Sequence, residues 1–199
     1  FRELFSLMPV TEVRPASALP PAFGLLFGVW GALGTALGNL TADIISGYSP
    51  WLCVTGFAAQ FLYGYIPFKL WYALGSQKEE QDFPKLDTAR HVVKYLFIVA
   101  IDSLMVAGLL GFLMEGFGIS QFLSSTTFVL LLNNFDFCIL LGMPVIILVS
   151  VTGISVDVQK EKNHSQTGLL AAWAGILLLC AFALTEALRP GLLSVWPCA

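Results

Sequence analysis

Residues 91–114 read HVVKYLFIVAIDSLMVAGLLGFLM, and after Lys94 the only acidic or basic residue in the run is Asp102. As a helix this stretch extends about 35 Å at 1.5 Å per residue, enough to cross a hydrocarbon core of roughly 30 Å. No polar stripe recurs along it of the kind that lets a helix lie half in water. Three further runs, 51–74, 126–152 and 167–188, are similarly apolar and are bounded by polar or Pro/Gly punctuation. The stretch 16–46 is longer and carries Gly24, Gly28, Gly31, Gly34 and Gly38. Its pattern predicts a short helix, a tight turn near Gly28 to Gly31 and a second, Gly-rich helix, the two halves crossing separately. The expectation is an all-α, polytopic transmembrane bundle of about six helices. It forms one domain over 1–199, with 1–15 as an outer loop or the end of an upstream helix.

Composition agrees. The 199 residues are 57% hydrophobic and 12% charged, with a mean hydropathy of +0.80, where a soluble domain carries about 25% charged residues. A water-facing surface cannot be built from so few charges. The net charge of -3 comes with no basic run interleaved with aromatics, which argues against nucleic acid as a partner. Cys53, Cys138, Cys180 and Cys198 form no CxxC pair, and the first three lie in apolar runs where a thiol acts as a small hydrophobe. Neither a disulfide framework nor a metal site is expected, and His91 and His164 are too far apart to suggest ligand spacing. No GxSxG, HExxH or phosphate loop with a lysine occurs. The chain is therefore read as no enzyme and no ATPase. It begins with Phe, and residues 1–8 are too short and polar for a signal peptide's apolar region, so upstream sequence is expected.

Basic residues set the orientation. Lys78, Lys85, Arg90 and Lys94 cluster between two spans, and Lys160 and Lys162 between two others, an even number of crossings apart. The positive-inside rule places both loops in the cytoplasm and the nearly uncharged turns 47–50 and 116–125 outside. Traced backward, residues 11–15 reach the outer face, where Glu12 and Arg14 would meet an extracellular ligand. Traced forward, Trp196 and the C-terminus also fall outside.

An ionisable side chain at mid-membrane depth is costly and marks a pathway, a partner or a site unless something neutralises it. Asp43 lies one turn from the outer end of its helix with Asn39 four residues before it, while Asp102 and Asp136 lie near the middle of their spans. Asn133, Asp136 and Phe137 are spaced by three and four, so an amide, a carboxylate and an aromatic are expected on one wall of a polar cavity. Interhelical hydrogen bonding is the plainer reading of each group. Tyr48 and Trp51 stand at the outer interface, where aromatic belts form in any case but where a planar ligand would also stack. The rows Gly24/Gly28, Gly34/Gly38 and Ala32/Ala36 have the spacing that lets helix backbones approach closely, within the bundle or against another subunit.

The stretch VRPASALPPAFGLLFG at 13–28, GALGTALGNLTAD at 31–43 and GYSPW at 47–51 resembles the substrate-binding S components of energy-coupling factor (ECF) transporters. Those proteins commonly show a Pro-containing outer loop, a short second helix ending in a turn, and a Gly-rich third helix closing with Asn and Asp near the outer face. Val29 and Trp30 stand where the family commonly has a proline in the turn. The resemblance covers 13–51 closely and the remainder through span order and orientation. It implies a multi-pass subunit of the cell membrane that binds a vitamin or related heterocyclic micronutrient at the outer face and topples to release it inside. It also implies a transmembrane coupling subunit and two ATP-binding subunits as partners, with ATP used by those partners and no cofactor in this chain. By position, the ligand contacts would be Glu12, Arg14, Asn39, Asp43, Tyr48, Trp51, Asp102, Asn133 and Asp136. The family's first helix, with its docking motif, is expected to be missing or truncated in this sequence, residues 1–8 being its outer end, and 167–188 is a span beyond the family's usual six. Two alternatives stand beside this reading: a proton-coupled secondary carrier using Asp102 and Asp136, and a structural membrane subunit without a ligand.

Overall fold

The computed structural model describes residues 15–75, 84–119 and 121–152. Glu12, Arg14, the Lys160/Lys162 loop and the expected span 167–188 lie outside the described residues. Within them the chain is helical: a 3₁₀ turn Pro15–Ala18, α1 (Leu19–Ile45), α2 (Pro50–Ala73), α3 (Ala89–Gly116), α4 (Ser125–Phe137), a π-helical turn Cys138–Gly142 and α5 (Met143–Thr152). Three stretches, Pro15–Ile45, Ala89–Gly116 and Ser125–Thr152, are long and apolar enough to cross a membrane.

The turn expected in the Gly-rich stretch falls at Gly28, whose φ of 62° and ψ of -139° interrupt α1 in a region open to glycine and costly to other residues. Here the chain folds back on itself. Residues eight apart in a straight helix stand about 12 Å apart, yet a Cβ on Gly31 would lie 2.0 Å from the Phe23 carbonyl oxygen. The first arm, 19–27, spans about 14 Å and the preceding 3₁₀ turn adds about 8 Å. Together these are shorter than a hydrocarbon core of roughly 30 Å.

Both arms pack on α2 at one glycine. A Cβ on Gly64 would lie 2.9 Å from Ala32 Cα in the second arm and 3.1 Å from the Pro20 carbonyl oxygen in the first, and one on Gly24 would lie 1.8 Å from the Gly64 carbonyl oxygen. Gly34 and Gly38 behave otherwise: a Cβ added at either would have nothing within 4 Å. Their row is thus no packing seam among the described residues, whereas Ala32 and Ala36 are fully buried.

Sequence reading also made 51–74 a spanning helix, but α2 is not among the three stretches apolar enough to qualify alone. Its 24 residues include Thr55, Gln60, Tyr63, Tyr65, Lys69 and Tyr72. The cause is its central place: α2 packs against both α1 and α3, so much of its surface meets protein. Lys69 is only 4% exposed, with its Nζ 5.3 Å from the Tyr65 ring centre and 5.5 Å from that of Phe68, a cation–π arrangement suited to a desolvated ammonium.

The core joins Leu25 and Leu26 of α1, Tyr63 and Leu70 of α2, Tyr95, Ile98 and Val99 of α3, and Ile146 of α5. Two tyrosines tie it to the last turn of α4 and to the π-helical turn: Tyr63 donates to the Asn134 carbonyl at 3.2 Å and Tyr95 to the Cys138 carbonyl at 2.8 Å. Pro144 follows that turn and brings no N–H for the preceding carbonyls, a recognised cause of local widening. The buried thiols Cys53 and Cys138 are free.

Hydroxyl caps begin two helices, Thr88 accepting from the His91 amide at 3.3 Å and Ser124 from the Thr127 amide at 3.4 Å. Replacing either with Ala is expected to cost about 1 kcal/mol, read as a small drop in melting temperature, with no change in overall helicity. Beside the first cap, His91 Nδ1 lies 2.7 Å from Asp87 Oδ1. That hydrogen bond holds the exposed Asp87 carboxyl below its ordinary value. A lowered folded value means the contribution is present above the unfolded carboxylate pKa and is lost as pH falls through the folded one. Asp87→Asn is therefore expected to flatten a small acid-side decline in stability; an unchanged acid limb would show that the pair contributes nothing.

Candidate functional site

At the end of the bundle carrying the turns 46–50 and 117–124, the helices part around a cavity of about 480 Å³. Small-molecule sites commonly measure 300–1,000 Å³. Each of α1 to α4 contributes a wall. From α1 come Asn39 and Asp43, four residues apart on one face, with Asn39 Nδ2 donating to Asp43 Oδ2 at 2.8 Å. Tyr48 stands on the turn, and α2 adds Thr55, Gly56 and Gln60. Leu110, Leu113 and Met114 of α3 supply an apolar wall, continued by Phe117 and Ile119, and α4 closes the space with Thr126, Leu130 and Asn133.

One glycine sets the depth at which the acid sits. A Cβ on Gly56 would lie 2.8 Å from Asp43 Oδ2, closer than nonbonded atoms settle, so the absence of a side chain there lets the carboxylate lie against α2. Gly56→Ala is expected to push the carboxylate away from Asn39 and to weaken several-fold the retention of any molecule the cavity holds. Its melting temperature should stay within about 2 °C of the parent, because the displaced atom is the end of a movable side chain. Equal retention by parent and variant would show that the position of Asp43 does not matter.

Four of the residues singled out in the sequence, Asn39, Asp43, Tyr48 and Asn133, meet at this cavity. Three others do not. Trp51 is 71% exposed and lies outside the lining, as an interfacial aromatic does. Asp136 is exposed, contrary to the wall expected of Asn133, Asp136 and Phe137. The reason is helical phase: α4 buries Thr127, Asn134 and, continuing, Cys138, and Asp136 follows Asn134 by about 200° of rotation.

Asp102 is fully buried, about 12 Å along α3 from cavity-lining Leu110. Neither of its carboxyl oxygens, nor the Ser103 hydroxyl, has a hydrogen-bond partner among the described residues. The cavity also recruits Thr55, Gln60 and Thr126, which sequence reasoning passed over. Their only signal was polarity within otherwise apolar helices, and it is shared by Thr35 and Thr41, which lie outside the lining; Thr55, like those two, bonds its own helix carbonyls.

Comparison of the chain with protein-family models, with curated proteins and with solved structures gave no match.

Proposed function

We propose that this chain is the membrane-embedded substrate-binding subunit of an ECF-type importer, capturing a vitamin-like heterocycle at the outer face for delivery inward by ATP-hydrolysing partners. The observation that carries the reading is the cavity shared by Asn39, Asp43, Tyr48 and Asn133, three of which lie in the stretch that resembles the family. On the orientation given by the basic loops, the cavity opens outward. Its chemistry suits a small amphipathic molecule. Leu110, Leu113 and Met114 cover an apolar body, Tyr48 offers a ring for stacking, and the amides of Asn39, Gln60 and Asn133 accept and donate. Asp43, the only acid in the described lining, calls for an N–H donor or a cationic group on the ligand.

A proton relay through Asp102 and Asp136 draws less support, since one carboxyl is sealed in the core and the other stands on the outward face of α4. Native mass spectrometry of the detergent-purified full chain tests the proposal. A co-purified molecule of a few hundred daltons, released on collisional activation, is the expected result. A protein that flies empty and shows no thermal shift with a vitamin panel would leave the structural-subunit reading in its place.

A further inference from the structure

The second arm of α1 and the helices α3 and α4 all present apolar side chains outward, as membrane helices do. One of these surfaces includes a charge in the middle of its length, whereas the exposed Arg90 and Glu115 of α3 lie at its ends. Along α4 and the π-helical turn that continues it, the exposed residues Phe128, Leu132, Asp136 and Leu140 follow one another at intervals of four, the three apolar ones being 60%, 43% and 63% exposed. That spacing stacks them in a single stripe. On the other side of the same helix Thr127, Asn134 and Cys138 are buried, so the stripe's direction is fixed by packing.

Ser125–Thr152 is also the least covered of the three membrane-length stretches. In its most apolar window 17% of residues are buried, against 44% for Ala89–Gly116 and 61% for Pro15–Ile45. Asp136 stands about 4 Å from the midpoint of that 28-residue stretch, hence near the centre of the bilayer. It makes no hydrogen bond or ion pair with another described residue. A carboxylate facing hydrocarbon at that depth is among the costliest placements a side chain can have, and intramembrane acids therefore pair with a partner group.

We infer that the Phe128–Leu132–Asp136–Leu140 stripe seats a transmembrane helix of a partner subunit that presents a lysine or arginine to Asp136. Charge complementarity selects this occupant. An ionised carboxylate only accepts hydrogen bonds, so a cationic donor both neutralises and satisfies it. Leu132 and Leu140, one turn to either side, would shield the pair from water, where such bonds are strongest and most selective. The stripe extends about 18 Å, the reach of one helix crossing another. This inference requires only that the chain spans the membrane, not that the cavity binds a ligand.

Site-specific photo-crosslinking of the full chain, in the membranes of the cells that produce it, provides the test. A benzophenone amino acid is placed at Leu132 or Leu140, with Val93 of α3, 65% exposed, as the control position. The expected adduct from Leu132 and Leu140, absent from Val93, joins a transmembrane segment of a different protein with a Lys or Arg within about one turn of the attachment point. Asp136→Leu and Asp136→Asn should each reduce that adduct at least tenfold, and Asp136→Lys combined with an acid at the partner's basic position should restore it. Adducts confined to residues 167–188 of the same chain, to a second copy or to lipid would overturn the inference. So would a partner adduct indifferent to both Asp136 variants. The isolated variants should keep the parent melting temperature and co-purified ligand, so failure here and failure of the binding proposal are separately visible.

Discussion

Gly24→Ala is expected to be the most damaging single-methyl change in this chain. The added carbon would lie 1.8 Å from the Gly64 carbonyl oxygen and 2.7 Å from its carbon, so the obstacle is backbone that cannot rotate away. Relief requires the first arm of α1 to lift from α2, loosening the buried Ala22, Leu25 and Leu26. Overpacking of a tight core costs about 1–3 kcal/mol and more where backbone must move; here about 3 kcal/mol is expected, or a fall of roughly 10 °C in melting temperature. Gly34→Ala and Gly38→Ala are the controls. With open space around both positions, each should be neutral or slightly stabilising, because alanine loses less backbone freedom than glycine on entering a helix. A Gly24→Ala protein that melts with the parent, or a Gly34→Ala protein that falls as far, would remove the Gly24–Gly64 crossing from the account of the fold.

That contrast shows what the amino-acid pattern conveys and what it withholds. The rows Gly24/Gly28 and Gly34/Gly38 are indistinguishable as spacing, yet one includes a backbone contact and a left-handed turn while the other faces open space. Spacing says which residues share a helix face. Which face meets a neighbour depends on the crossing geometry of helices distant in sequence. Apolar length was therefore legible for α3 and for the α4–α5 stretch, and the turn near Gly28 was legible from glycine density. α2 is less apolar than these, because a helix enclosed by protein can carry Gln60, Tyr63 and Lys69, and the first arm of α1 ends at the turn at Gly28 rather than where polarity rises.

The same limit governs the acids. Asp43, Asp102 and Asp136 look alike in the sequence as carboxylates in apolar surroundings, and the structure gives them three environments. Asp43 lines a cavity and accepts from Asn39. Asp102 is enclosed without a hydrogen-bond partner among the described residues. Asp136 looks out from the bundle. Asp43 and Asp136 each had the same local clue, an amide three or four residues away (Asn39 and Asn133), and it held for the first alone. For the other two the deciding quantity was rotation about the helix axis relative to helices from elsewhere in the chain, which one helix's sequence does not encode.

Asp43→Ala is accordingly expected to weaken retention of the co-purified ligand by about 10- to 100-fold, the loss that follows when a hydrogen bond to a charged group worth about 1.5–3 kcal/mol is removed. The effect should exceed that of Gly56→Ala, which displaces the carboxylate without deleting it. Asp102→Asn provides the opposing arm. Its carboxyl is about 12 Å along α3 from the cavity wall and meets no donor among the described residues, so ligand retention should be unchanged. Stability should hold or rise, because replacing a buried unpaired acid with an amide removes a desolvation cost. Equilibrium binding of the released molecule to parent, Asp43→Ala and Asp102→Asn proteins distinguishes the cases. Loss confined to Asp43→Ala places the ligand in the cavity at the end of the bundle. Loss confined to Asp102→Asn would move the site into the core between α2, α3 and the π-helical turn, and with it the basis for reading Asn39, Tyr48 and Asn133 as ligand contacts.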